Sequence, residues 1–131
     1  MTDAIEITVA VLAAASAVKT IVGPRNYPIK FPQNAQPPCN VINIVGDHDE
    51  EMLSGPGGYF ESRVRIESID LDAEGALALS KAVYTAMTAV IKGAFGAATD
   101  VDIIYLMQTT SSSDERQTCM VVSDFSVRWR S

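Results

Sequence analysis

The sequence predicts an α+β fold, a four-stranded and mainly antiparallel sheet with two helices on one face, in the order α-β-β-α-β-β. Three observations carry that expectation. Residues 60–67 alternate apolar with charged side chains at period two, as a strand with one dry face does. Residues 76–91 repeat apolar side chains at helical spacing, and residues 118–129 return to alternation. At 131 residues the chain fits one domain, 1–131. A domain of this size buries about two thirds of the surface its unfolded chain exposes, enough for a core without disulfides or metals.

The first helix is read from Asp3 and Glu6, spaced like a capping box, followed by Ile5, Val9 and Leu12 on one helical face. Gly23-Pro24 closes it. Residues 24–38 hold five of the six prolines and read as an extended connector. Cys39 to Val45 is apolar on both faces, a short central strand. Gly46 to Gly58, with DHDEE at 47–51 and GPGG at 55–58, is a long polar loop.

Phe60, Val64 and Ile66 then alternate with Glu61, Arg63, Arg65 and Glu67 in the clearest strand of the chain. Asp72 opens the second helix, with Glu74 near its positive end. Ala76, Leu79, Val83, Ala86, Met87 and Val90 form its apolar stripe, widened by Leu77, Tyr84 and Ile91. Val101 to Met107 is the third strand and 109–115 (TTSSSDE) a polar turn. The fourth strand alternates Cys119, Val121, Phe125, Val127 and Trp129 with Thr118, Met120, Asp124, Ser126 and Arg128.

Composition excludes several functions. A net charge of -6 with ten scattered Lys and Arg argues against gripping duplex DNA, which needs a basic patch. The Ala/Val-rich run from Thr8 to Val18 follows Asp3 and Glu6 rather than basic residues, and is too short to span a bilayer. It reads as a buried helix of a cytosolic product. Cys39 and Cys119 could face each other across a sheet, but read better as buried free thiols.

Chemistry is sparse. His48 is the only histidine, flanked by Asp47, Asp49, Glu50 and Glu51, and this run lacks the ordered oxygen ligands of a calcium loop. Serines 111–113 have no second histidine as base, and nothing near Cys39 would activate it. The reading is no enzyme, no cofactor and no metal, with a small metal-dependent hydrolase using 47–51 as the distant alternative.

The pieces in order resemble a known family. An Ala-rich helix runs into Val22-Gly23-Pro24-Arg25-Asn26-Tyr27-Pro28, and a Pro-spaced stretch leads to the strand at 38–45. A loop ending Ser54-Gly55-Pro56 precedes the strand Arg63-Val64-Arg65-Ile66-Glu67. The helix carries Ala-Leu-Ala-Leu-Ser-Lys-Ala-Val at 76–83, and the chain closes on Ser123-Asp124-Phe125-Ser126-Val127-Arg128-Trp129. From about Ala4 to Trp129 this is similar to the tail-completion and tail terminator proteins of tailed bacteriophages and gene transfer particles.

That resemblance implies a structural virion protein assembled in the host cytoplasm. It would form a ring with itself, a hexamer, that caps the tail tube protein, ends tube polymerisation and meets the head-tail connector protein. DNA would only pass through the lumen, and no membrane is involved. A head-completion or connector ring is the close alternative. A ring needs two different complementary patches per subunit. The candidates are the charged ladder Glu61, Arg63, Arg65 and Glu67 and the apolar excess of the second helix. The loop with Asp47, His48, Asp49, Glu50, Glu51, Met52 and Leu53 is the candidate for reaching an adjacent ring, with Tyr59 a further candidate interface residue.

Overall fold

Asp3 caps the first helix, α1 (Ala4–Ala14), its carboxylate accepting from Glu6 N–H at 2.9 Å. This is a computed structural model, which describes residues 3–30, 36–45, 52–54, 59–96, 98–113 and 118–130. The helix does not run on to Gly23. At Ala15 the backbone is extended, and α2 (Ser16–Val22) leaves at 88° to α1. The bend lets Ile7 and Leu12 of α1 and Val18 and Val22 of α2 enter one core, all fully buried. The run is apolar on nearly every side, so its periodicity does not mark the break. Gly23 then ends α2 at φ +59, the left-handed region where glycine carries no Cβ penalty.

The expected four-stranded antiparallel sheet with two helices is overturned. Among the described residues there are three helices and one seven-stranded mixed sheet, in the order β1-β2-β4-β7-β6-β5 with β3 also on β4. The stretch read as a connector contains β1 (Asn26–Pro28), which runs parallel to β2 (Cys39–Ile44). The stretch read as loop contains β3 (Met52–Ser54), which pairs with β4 (Tyr59–Asp70) beyond the end of β2. After α3 (Ala73–Thr88) comes β5 (Gly93–Phe95) on the edge of β6 (Ala98–Ser113). The last strand, β7 (Thr118–Arg130), lies between β4 and β6.

The three added strands are three residues each, too short for alternation to show. Pairing with long neighbours makes them strands. Strand β6 extends through serines and threonines that read as a turn, because β7 supplies a ladder partner for each of them.

The helices cover one face. Val64 and Ile66 of β4, and Phe125, Val127 and Trp129 of β7, meet Leu79, Val83 and Met87 of α3 together with α1 and α2. Asp72 caps α3 by accepting from Gly75 N–H. The opposite, outer face carries the odd-numbered residues of β4 from Glu61 to Glu67. At one end of that face Cys39, Val41 and Ile69 form a second small cluster with Tyr27 and Met120.

A bulge in β6 redirects its side chains. The register slips between Tyr105 and Met107, so Leu106 is the extra residue. Tyr105 therefore turns toward α3, edge-on to Tyr84 at 5.1 Å and to Phe125 at 5.9 Å. Met107 comes opposite Asp124, on the outer face.

Phe125 stands fully buried where the central strands meet α3. Replacing it with alanine should cost about 3–5 kcal/mol through lost burial and a residual cavity. Urea denaturation of Phe125→Ala checks this; a loss below about 1 kcal/mol would mean that the core does not close over this ring.

Candidate functional site

The sequence-derived candidates fall into three groups. Asp47, His48, Asp49, Glu50 and Glu51 lie outside the described residues. The backbones of Met52 and Leu53 pair with Glu61 and Phe60, and that of Tyr59 with Ser54 and Arg130. Glu61, Arg63, Arg65 and Glu67 occupy successive outward positions of β4. The structure thus gathers the ladder on one face of β4.

What sequence reading missed is the residue that organises the ladder. Asp124 of β7 stands opposite Arg65, and its side chain is only 2% exposed. Arg63 donates to its Oδ2 from Nη2 at 2.8 Å and from Nε at 3.2 Å. Arg65 donates from Nε to Oδ1 at 2.9 Å and from Nη2 to Oδ2 at 3.2 Å. One carboxylate therefore holds two guanidinium groups side by side, each about two-fifths exposed (43% and 42%). The signal was present, since Asp124 has the outward parity of its strand; the strand register was not.

The electrostatics follow from that geometry. Burial alone would raise the Asp124 pKa, but hydrogen bonds from Arg65 and Arg63, with their positive charges, outweigh it and hold the carboxyl below its ordinary range. The Asp124 hydrogen bond in turn raises the Arg65 pKa.

Apolar groups adjoin the arginines. Arg63 Nη2 lies 3.2 Å from Met107 Sδ, and Ile104, Leu106 and Met107 are exposed large hydrophobics on β6. The ladder of β5 on β6 reaches only Val101. Among the described residues, no strand pairs with that edge from Ile104 to Ser112. Between α3 and β6 an open groove of about 630 Å³ is lined by Leu77, Ser80, Lys81, Tyr84, Tyr105 and Gln108.

The cysteines do not meet. Strand β4 separates them, Cys39 pairing with Ile69 and Cys119 with Asp70, so the two side chains take opposite faces of the sheet. Both are free thiols. Burial pushes the Cys39 thiol up to about 11, against a small lowering by Arg25. Among the described residues no three His, Cys, Asp or Glu side chains gather as a metal site, and no single helix is long and apolar enough to cross a membrane.

Among the described residues, these features define a class, namely a mixed sheet shielded by helices on one side, with an ion-paired face on the other and a strand edge left unpaired. The fold is similar to that of a chain solved in the virion of a native gene transfer agent particle. The TM-score is 0.68 over 95% of this chain and 92% of that one, at 15% sequence identity. At that identity the likeness establishes a shared fold. No protein-family model and no curated protein sequence matches the chain.

Removing the two arginines leaves a buried carboxylate unpaired, so Arg63→Ala with Arg65→Ala should cost about 3–5 kcal/mol. Asp124→Asn should cost less, because half-exposed guanidiniums can rehydrate. Urea denaturation of both variants decides, and the reverse order would overturn the asymmetry. The depressed Asp124 pKa stabilises the fold above the ordinary carboxylate value, about 3.9. That stabilisation is lost as pH falls through the lower folded value. Thermal melts at decreasing pH should therefore fall less steeply for Asp124→Asn than for the wild type in the acid range. Cys39 should resist Ellman's reagent at pH 8 in the folded protein and react on denaturation; rapid labelling of the native Cys39 would contradict its burial.

Proposed function

We propose that this protein is a structural component of a phage-like virion, a tail terminator that forms a homo-oligomeric ring at the head-to-tail junction. The ring is a hexamer that caps the finished tail tube, stops addition of tube protein and presents its other side to the head connector. The observation that carries the reading is the fold shared, along nearly the full length of both chains, with a chain of a gene transfer agent virion.

Physical features support it. A closed ring uses a heterologous interface, for which each subunit needs two unlike patches. Among the described residues the β6 edge is unpaired, with Ile104, Leu106 and Met107 exposed, and elsewhere α3 has an exposed flank with Leu77 and Tyr84. Long apolar edges are an aggregation liability in a lone monomer, and assembly is one way of covering them. The net charge of -6 suits a lumen through which DNA slides without sticking.

Light scattering across a concentration series, with negative-stain imaging, should show rings of about six copies, in solution or on purified tail tubes. Added protein should arrest tube elongation and sit at one tube end. A species that neither binds tube ends nor arrests their growth, and that co-sediments with portal protein instead, would replace the terminator assignment by a connector ring.

A further inference from the structure

The outer face of the sheet offers a patch whose complement lies on the same chain. Arg63 and Arg65 point their remaining N–H groups outward, since the charge of Asp124 is spent beneath them at 2% exposure. Across β7 from Arg63, with Ser126 between, stands Ile104, 60% exposed, and Met107 abuts the Arg63 guanidinium. Glu61 and Glu67 flank the arginines along β4, and Glu61 is cross-strand from Arg128. The centre of the patch is therefore two fixed cations beside two exposed apolar side chains.

The turn from β4 into α3 has the converse make-up. Asp70, Asp72 and Glu74 surround Leu71, which is 63% exposed and the only apolar side chain larger than alanine in the turn. The turn is held in shape. Asp70 accepts from Leu71 N–H at 2.7 Å, Asp72 caps α3, and the Asp70 carboxylate lies against Gly75, where there is no Cβ to displace it. Each carboxylate has accepting capacity beyond those bonds.

Resting on the reading that this chain forms a ring, we propose that the Asp70–Glu74 turn of one copy docks on the Arg63/Arg65/Ile104/Met107 patch of the next. The two patches are different surfaces of one chain, opposite in charge and each with an apolar anchor, which is what a heterologous, ring-closing contact requires. Leu71 sits against Ile104 and Met107, while the acidic groups meet the guanidinium pair. Pre-organisation by Asp124 lowers the ordering cost on the basic side.

A charge-swap experiment tests this without touching the buried Asp124 pairs. Ile104→Glu sets acid against acid, and Asp70→Lys with Glu74→Lys sets base against base. Each should weaken self-association about 100-fold, the scale of a like-charge contact. The variant combining all three changes should regain about tenfold of that loss, because the carboxylate introduced at position 104 then meets the lysines introduced at 70 and 74, while Arg63 and Arg65 still oppose them. Circular dichroism checks that each variant folds, and the dissociation constant comes from light scattering or, where assembly needs a template, from ring occupancy on tail tubes.

Association unchanged in both single-patch variants overturns the contact while leaving the ring reading intact. So does loss in both with no recovery in the combination. Recovery of Ile104→Glu by reversing Asp49 and Glu50, in place of Asp70 and Glu74, assigns the patch to a different occupant and likewise overturns the proposal. A wild type that stays monomeric even with tail tubes present would remove the ring itself.

Discussion

The antiparallel pairing of β4 with β7 is the constraint on which the rest of the molecule depends. It runs unbroken from Tyr59 opposite Arg130 to Asp70 opposite Cys119. In this register Val64 lies opposite Phe125 on the dry side, and Arg65 lies opposite Asp124 on the other. A slip of one residue would turn the strand over, placing arginines under α3 and Val64 and Ile66 in water. The apolar core and the buried ion pair thus select one register from two sides of the sheet. An ion pair of this kind is weak evidence for added stability, since desolvating Asp124 offsets much of its attraction. Its clearer effect is to make a one-residue slip costly, because that slip turns the carboxylate to the face away from both arginines.

Strand β6 depends on β7 in turn, and the bulge at Leu106 gives it two different surfaces. Before the bulge, Ile103 and Tyr105 face the helices; after it, Met107 faces outward beside Arg63. Were β6 to pair regularly instead, Leu106 would take the outward place opposite Asp124 and Met107 would turn toward α3, so the bulge selects the thioether as the arginines' apolar neighbour. A local irregularity of one residue thereby builds the flank of the candidate assembly surface. Bulges are common at edges for this reason, since they re-aim side chains where pairing ends.

What could be read from the sequence was what is locally encoded. The alternation in β4 and β7, the stripe on α3 and the caps at Asp3 and Asp72 need only neighbours along the chain. Strands β1, β3 and β5 exist because longer strands lie alongside, and three residues carry no period of their own. The serines and threonines of β6 carried a turn signal, yet the ladder to β7 kept them extended. The α1–α2 bend was hidden for the opposite reason, as a run that is apolar all round gives no face to follow. At the site, the arginine ladder was legible from alternation, whereas its organiser Asp124 required the register of a strand about 60 residues away.

The distribution of charge ties the framework to the proposed ring. Six carboxylates at 47–51 and 114–115, set against Arg116 alone, carry all but one unit of the net charge of -6. The remaining framework is nearly neutral, so its acidic and basic groups are available to one another, within a copy or between copies. Within a copy, Asp124 already takes both arginines. Between copies, a nearly neutral framework does not repel itself at contact distance, and exposed charges farther apart than about 10 Å are screened at 0.1 M salt. Net charge by itself would favour separate monomers. Because most of the excess charge falls at 47–51 and 114–115 in the sequence rather than among the described helices and strands, the proposed contact between copies would join surfaces that are nearly neutral as a whole.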